Sequence, residues 1–216
     1  MEKYMTKIIL IRHGQSEYNL TRRYTGQTDV ELTEIGRIQA EITGKYILEN
    51  YKIDEIWSSD LKRAVDTAKP IADALGLEIK TDERLREIYA GDWQGMLFSE
   101  VEEKFAEEYA YYKANKSISR TPNGEGLCDV LPRVEAAVRE IAEKCDGKCV
   151  LISTHNGPIM TLEVPMLGKD LQELIPLSNN SITEADYENG SFKVVKLGYD
   201  EHLKGLITKF KNNNEN

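Results

Sequence analysis

Near the start of the chain, a run of four aliphatic residues, 8–11, leads directly into Arg12, His13 and Gly14. So short a continuous apolar run is typical of a strand covered on both faces, as in a parallel sheet. A second such run, residues 149–152, is followed by another histidine segment. Two strands of this type require helices on both faces of one sheet, which constrains the fold more than any other feature of the sequence.

The rest of the chain alternates between strand and helix patterns. A helix is predicted from Thr33, a strand over residues 54–58, and a helix over residues 61–75 that ends at Gly76. Near the C-terminus, two strand patterns flank Asn189-Gly190, which is a hairpin signal. This order predicts a single α/β domain over residues 1–216, with a three-layer α/β/α arrangement and a mainly parallel central sheet.

Composition narrows the class of protein. The chain carries 37 acidic and 28 basic residues and a formal charge of −9, which argues against binding nucleic acid through its phosphates. No apolar run is long enough to cross a bilayer, so a cytoplasmic protein without a membrane partner is expected. The three cysteines lack the second pair that a zinc site needs, so no metal site is predicted.

Several groups able to bind an anion follow the predicted strands. In open α/β sheets, ligands collect at the carboxyl ends of the strands. Arg12 and His13 follow the first strand, Arg63 lies in the first turn after another, and His155 follows a third. Arginine binds two phosphate oxygens at once, and a histidine whose other nitrogen is hydrogen-bonded can attack phosphorus. We therefore expect these side chains to act on a small phosphorylated substrate.

Four motifs occur together in one order. They are Arg12-His13-Gly14 with Asn19, Tyr24-Thr25-Gly26 and Leu32-Thr33-Glu34-Ile35-Gly36; Ser58-Ser59-Asp60-Leu61-Lys62-Arg63-Ala64; Leu85-Arg86-Glu87-Ile88 with Gly91-Asp92-Trp93-Gln94-Gly95; and Ser153-Thr154-His155-Asn156-Gly157. Over roughly residues 7–160 the sequence resembles the histidine phosphatase superfamily, in its phosphoglycerate mutase-like branch.

That resemblance implies a role for each site residue. His13 becomes the phosphate acceptor and Glu87 the proton donor to the leaving oxygen, with Glu83 and Asp82 as neighbouring alternatives for the acid. The phosphoryl group is bound by Arg12, Arg63 and His155, and further substrate contacts come from Asn19, Thr25, Gly26 and Asn156. Since two arginines and two histidines stabilise the phosphate, the chemistry requires neither a metal nor a cofactor.

Departures from the family bear on specificity. Family members commonly have glycine directly after the second histidine and serine at the position of Gly126, where this chain lacks a hydroxyl. No histidine follows Glu87, unlike the mutases, so the pattern is closer to small phosphatases such as α-ribazole phosphatase and the broad-specificity phosphomonoesterases. A phosphoglycerate mutase and a non-catalytic phospho-ligand-binding protein stay open as alternatives, and the oligomeric state is not predicted.

One further segment is predicted to be a helical cap over the site. Between about residues 96 and 120, apolar and aromatic residues recur at spacings of three and four, namely Phe98, Val101, Phe105, Tyr109 and Tyr112. Such a stripe is also typical of a helix packed on its own domain. Tyr109, Tyr111 and Tyr112 could instead face an apolar or aromatic leaving group.

Overall fold

A computed structural model describes residues 4–208 of the 216. Within that range a six-stranded sheet has the order β3-β2-β4-β1-β5-β6. The strands are β1 (Thr6–Arg12), β2 (Glu55–Ser58), β3 (Ile79–Thr81), β4 (Cys149–Thr154), β5 (Ile182–Glu188) and β6 (Ser191–Tyr199). The first four in chain order pair in parallel, whereas β5 and β6 are antiparallel. The predicted mainly parallel sheet is confirmed.

Helices cover both faces of this sheet. The α-helices are α1 (Glu17–Leu20), α2 (Glu34–Asn50), α3 (Lys62–Leu75), α4 (Phe98–Lys104), α5 (Ala106–Ala114), α6 (Leu127–Lys144) and α7 (Asn156–Leu167). Short 3₁₀ helices span Glu83–Leu85, Gly91–Trp93, Leu171–Glu173 and Glu201–Leu206. No helix in the described part of the chain is both long and apolar enough to cross a membrane.

In the described part of the chain, the buried core has two main clusters, one on each face of the sheet, and a third, smaller cluster of Leu127, Met160 and Leu174. On β1, Ile8 and Leu10 pack with residues of α6 and α7, whereas Ile9 and Ile11 pack with residues of α2 and α3. All four side chains are fully buried. Alternate residues of one strand therefore serve two helical layers, which explains the continuous apolar run and gives the three-layer arrangement.

Helix α2 begins after Thr33 as predicted. Ile38 is 43% exposed, whereas Ala40, Thr43, Gly44 and Ile47 are buried. A Cβ at Gly44 would lie 3.3 Å from Cβ of Pro70 in α3. Small residues thus let the two helices approach closely, on the same face of α2 as the buried Ile47.

Helix α3 ends at Gly76 as predicted but begins differently. Its N-cap position is Leu61, and the backbone N–H of Lys62 is bound by Asp29 from a distant loop at 2.8 Å. The Oγ of Ser59 accepts only a long bond of 3.3 Å from the N–H of Leu61. Asp29 therefore provides the main cap of α3, which leaves Ser59 available for another contact.

The C-terminal hairpin forms as predicted. Strands β5 and β6 pair up to Glu188 and Ser191, with Asn189 and Gly190 as a two-residue loop. Both loop residues have positive φ, 51° and 79°, as a type I′ turn requires. The hairpin extends the sheet beside β1 and completes its antiparallel edge.

Candidate active site

The three strands that precede the predicted site residues are neighbours. Strand β4 lies between β2 and β1, and Arg12 pairs with Thr154 while Ser58 pairs with Ser153. Because the three strands are parallel, their carboxyl ends meet at one edge of the sheet. Residues that are distant in sequence are therefore adjacent at this edge.

His13 has one ring nitrogen fixed by the backbone. Its Nδ1 lies 2.7 Å from the carbonyl oxygen of Gly14, so Nδ1 carries the proton and donates it. The side chain is 3% exposed, and burial, followed by the charges of Arg63 and Arg12, holds the pKa of His13 well below 6.5. The ring is therefore neutral near pH 7, with a lone pair on Nε2.

Gly14 permits this arrangement. Its N–H donates to Oγ1 of Thr67 at 3.0 Å, and a Cβ at this position would lie 2.5 Å from the carbonyl oxygen of Gly36. No side chain fits there without displacing backbone. The glycine after the histidine thus brings α2 against the strand end and fixes the carbonyl that orients the His13 ring.

Two arginines are buried beside this ring. Arg12 is 1% exposed and Arg63 0%. Arg12 donates through Nη1 to the carbonyl of Leu177, while Arg63 donates to the carbonyls of Thr28 and Gly26 at 2.9 and 2.8 Å. Burial lowers the pKa of each arginine to about 10, so both remain charged at neutral pH.

The charge of Arg63 is not fully matched by protein acceptors. Its Nε is buried and has no hydrogen-bond partner within residues 4–208. Buried polar groups in proteins are nearly always hydrogen-bonded, so an unsatisfied guanidinium nitrogen at a cleft indicates where an anionic ligand binds.

His155 is fully buried beside His13 and does not itself line the cleft. Its ring centroid is 5.1 Å from that of His13, with an interplanar angle of 61°. Nε2 of His155 is 2.8 Å from Oγ of Ser59, while Nδ1 is buried without a partner in the described chain. Burial, then the charge of Arg63, lowers its pKa well below 6.5.

Glu87 is held at the cleft by two backbone amides. Its Oε1 accepts from the N–H of Ile88 and of Gly157, both at 3.0 Å. A Cβ at Gly157 would lie 2.4 Å from that oxygen. Its sequence neighbour Glu83 is 77% exposed at the side chain and lies 3.6 Å from Arg86, and it does not line the cleft.

The backbone of the Glu87 segment is braced by Arg133 on α6. Arg133 donates to the carbonyls of Arg84, Arg86 and Glu87 at 2.7 to 3.0 Å, and it pairs with Glu125 at 2.9 Å. This brace fixes an irregular segment that has little secondary structure of its own.

The predicted substrate contacts all line the same cleft, namely Asn19, Thr25, Gly26 and Asn156. Oδ1 of Asn19 accepts from Ser16 N–H and from Nδ2 of Asn179 at 3.0 and 3.1 Å. Oδ1 of Asn156 accepts from Leu177 N–H at 2.8 Å, and the Leu177 carbonyl in turn accepts from Arg12. Asn156 therefore supports the segment that orients Arg12, and its role in binding substrate stays a prediction.

Gly126 does not line the cleft, although Leu127 does. A Cβ at Gly126 would lie 1.9 Å from the carbonyl oxygen of Ser119. The space that a serine side chain would need is thus filled by backbone, and the expectation of a hydroxyl missing from the rim has to be corrected.

Sequence reasoning missed several supporting residues, namely Ser59, Gln94, Arg133 and Leu177. Ser59 and Gln94 lie inside the recognised motifs, and Oε1 of Gln94 accepts from Gln27 N–H at 2.7 Å. Leu177 contributes through its backbone, which no residue pattern reveals. Arg133 is a helix arginine whose role depends on the fold.

The cleft has a volume of about 1280 Å³. The side chains of Tyr24, Tyr109 and Tyr112 line one part of it, and all three contact the buried ring of Trp93 with centroids 5.2 to 5.9 Å apart. Tyr111 is 56% exposed and does not line the cleft. Within residues 4–208, no three His, Cys, Asp or Glu side chains are grouped to hold a metal ion.

Comparison with known proteins agrees with the family resemblance of the sequence motifs. The family model of the histidine phosphatase superfamily (branch 1) matches residues 8–200. The chain is 33% identical over 201 residues to phosphoserine phosphatase 1 of Hydrogenobacter thermophilus, covering 92% of this chain and 95% of that protein. It is 37% identical over 158 residues to phosphoglycerate mutase-like protein 4 of Arabidopsis thaliana, covering 72% and 69%.

A solved structure has the same fold. The mycobacterial glucosyl-3-phosphoglycerate phosphatase superposes with a TM-score of 0.81 and 28% identity, covering 91% of this chain and all of that one.

Proposed function

The chain belongs to the histidine phosphatase superfamily and is a phosphomonoesterase, and we propose that it hydrolyses a small phosphorylated metabolite through a phosphohistidine on His13. One observation carries the choice of residue: the Gly14 carbonyl binds Nδ1 of His13 at 2.7 Å, which leaves Nε2 as the nucleophile. Burial beside two guanidinium groups keeps this nitrogen unprotonated. The same charges attract the phosphoryl group that it attacks.

In the first step, the lone pair on Nε2 of His13 forms a bond to phosphorus while the bond from phosphorus to the leaving oxygen breaks. Arg12 and Arg63 stabilise the negative charge on the phosphoryl oxygens. The Ser59 hydroxyl donates to Nε2 of His155, so the proton of this neutral ring is on Nδ1. Nδ1 then donates a hydrogen bond to one of the phosphoryl oxygens. The leaving oxygen takes a proton from Glu87.

In the second step, water attacks phosphorus and the bond to Nε2 breaks, which releases phosphate and restores neutral His13. Glu87, now a carboxylate, accepts the proton from that water. The two amides that bind Oε1 of Glu87 leave Oε2 to exchange the proton. Glu87 thereby regains the proton that it gave to the leaving oxygen in the first step.

The segment over about residues 96–120 serves as a cap in this proposal. It contains α4 and α5, joined at Phe105, and it supplies Leu97, Phe98, Tyr109 and Tyr112 to the cleft. Relatives act on phosphoserine and glucosyl-3-phosphoglycerate by name, which supports a small phosphorylated metabolite as substrate. A cytoplasmic location stays a prediction from the sequence.

The test is to trap the phosphoenzyme. Wild type, His13→Ala and a matched control, His202→Gln, are reacted with p-nitrophenyl phosphate in the presence of a chelator and quenched without acid. We expect one phosphate on wild type and on the control, and none on His13→Ala, whose turnover should be abolished because the nucleophile is missing. Phosphate on another residue of His13→Ala would overturn the assignment.

The mutase alternative is decided with the same preparations. A phosphoglycerate mutase uses the same phosphohistidine but passes the phosphoryl group to a bound hydroxyl instead of water. We expect release of inorganic phosphate and no isomerisation of 3-phosphoglycerate. Isomerisation faster than phosphate release would replace the phosphatase proposal.

A further inference from the structure

The outer part of the cleft is positively charged, although the protein is acidic as a whole. Four cations outside the phosphoryl site line the cleft, namely Arg22, Arg23, Lys113 and Lys116, against one carboxylate, Glu102. The formal charge of the chain is −9. Whereas Arg12, His13 and Arg63 are almost completely buried, Lys113 is exposed and Lys116 half-buried. Positive charge is therefore present both at the buried end of the cleft and at its mouth.

Lys113 and Lys116 differ from most lysines of this fold. Among residues 4–208 neither forms an ion pair, and Nζ of Lys113 lies over the ring of Tyr109 at 4.9 Å. On the same segment, Lys104 pairs with Glu100 at 3.8 Å and does not line the cleft. Two unpaired ammonium groups three residues apart at a cleft attract an anion more effectively than lysines whose charge is already matched.

Between the buried and the outer cations, the cleft is aromatic and apolar. Tyr24, Tyr109 and Tyr112 line it, and Trp93 behind them holds all three rings in place. Other lining side chains are apolar, including Met160 and Leu174. The volume of about 1280 Å³ exceeds the usual range of small-molecule pockets, roughly 300–1,000 Å³. This space is larger than a phosphoryl group and a short polar leaving group need.

We propose that the leaving group of the natural substrate is amphipathic and carries a second anionic group, a carboxylate or a phosphate, bound by Lys113 and Lys116. Its apolar part lies against the tyrosines while the reacting phosphate is held by Arg12 and Arg63. This proposal rests on the proposed function and adds the class of substrate to it. The sequence predicts an apolar or aromatic leaving group, and this proposal adds a negative charge at the far end of that group.

The experiment compares phosphate monoesters that share the reacting end. They are the phosphate esters of ω-hydroxyhexanoate and of its primary amide, together with hexanediol bisphosphate. The bisphosphate shows whether the subsite binds a phosphate or a carboxylate. Proteins are wild type, the double variant Lys113→Gln/Lys116→Gln, and Lys104→Gln as the matched control. We expect wild type and control to prefer the acid over the amide by about tenfold in kcat/KM, as two partly exposed ion pairs allow.

In the double variant that preference should fall to about one, while turnover of p-nitrophenyl phosphate stays within about twofold of wild type. The wild-type preference should also shrink as ionic strength rises, because salt screens exposed charges. Equal use of acid and amide by wild type, or a preference that survives in the double variant, would overturn the subsite.

Failure of the proposed function gives a different result. It would appear as absent turnover of p-nitrophenyl phosphate by wild type, whatever the leaving group. Titration calorimetry with the corresponding phosphonates, which bind but are not hydrolysed, measures the preference for acid over amide without catalysis. Even without turnover, a binding preference of wild type for the acid over the amide that is lost in the double variant supports the subsite. Absence of this preference in wild type refutes the subsite.

Discussion

His13, Arg63 and Glu87 each have some polar atoms bound by the backbone and others left for a substrate. Nδ1 of His13, both Nη atoms of Arg63 and Oε1 of Glu87 are fixed at 2.7 to 3.0 Å. Because these bonds orient the side chains before substrate arrives, little reorganisation is needed during phosphoryl transfer. Replacing each residue should nevertheless have a different effect, since in the proposed mechanism His13 attacks phosphorus, Arg63 stabilises charge and Glu87 moves a proton.

Replacement of the proposed acid should depend on the leaving group. In Glu87→Gln, kcat should fall by roughly 10²- to 10⁴-fold for alkyl phosphates, whose leaving oxygen needs a proton. The loss should be much smaller for p-nitrophenyl phosphate, because p-nitrophenolate leaves without one. The measurement is a plot of log kcat/KM against leaving-group pKa, under conditions where phosphorylation of His13 limits the rate.

Arg63→Ala is the control for that plot. In the proposed mechanism the charge of Arg63 stabilises the phosphoryl group of every substrate, so the loss of kcat/KM should be nearly constant along the series. A slope for Glu87→Gln equal to that of wild type would mean that another group is the acid. Glu83 would then be the next residue to replace, although its side chain points to solvent beside Arg86.

Secondary-structure elements explain why some features were predictable from sequence and others were not. The aliphatic run of β1, the Gly76 end of α3 and the Asn189-Gly190 loop carry local signals, and all three formed as expected. The parallel arrangement then brings strand ends together, so the meeting of His13 with His155 follows from topology.

Features that depend on contacts between distant elements were not predictable. Asp29 caps α3 from a loop 33 residues away, and α2 packs through small residues instead of Ile38. Leu177 reaches Arg12 through a backbone carbonyl, which has no signature in sequence. Such contacts are fixed only when the whole fold assembles.

The start of α6 offers a test of one such contact. In Gly126→Ser, the new Cβ would overlap the carbonyl oxygen of Ser119, 1.9 Å away, so backbone has to move. We expect the free energy of unfolding to fall by about 1–3 kcal/mol, as for other overpacked sites. Urea unfolding followed by circular dichroism measures this change.

Gly205→Ser is the matched control, because a Cβ there meets no atom within 4 Å. It should alter the free energy of unfolding far less than Gly126→Ser does. Should Gly126→Ser unfold like wild type and change only the choice of substrate, the hydroxyl would belong to the rim of the cleft after all.

At the scale of the whole molecule, the chain has a formal charge of −9, yet it buries two arginines at one cleft. Burying Arg12 and Arg63 near one another opposes folding, and the Coulombic attraction of Glu87 offsets this in part by raising the pKa of both. If phosphate binds there as we propose, it relieves the remaining repulsion, and stability and substrate binding are then coupled through the same charges.

Histidine burial should make the stability of this fold depend on pH. The pKa of His13 and of His155 lies well below 6.5, and burial lowers that of His202 to about 4. Unfolded histidines take up protons below about pH 6.5, whereas these three stay neutral in the fold. The unfolded state then binds more protons, so stability falls as pH drops through 6.5 and is fully present above it.

Between about pH 7.5 and 5.5 each histidine should contribute a loss of about 1.4 kcal/mol, or about 4 kcal/mol for the three. Carboxylates such as Glu55, whose pKa is lowered to about 2 by its hydrogen bonds to Lys148 and Lys80, should contribute mainly at lower pH. Urea unfolding in phosphate-free buffer at both pH values measures the difference, and His202→Gln should remove about a third of it. A free energy of unfolding that is unchanged between these pH values would show that the two site histidines are protonated as readily in the fold as in the unfolded chain. His13 would then lack the neutral Nε2 that its role as nucleophile requires.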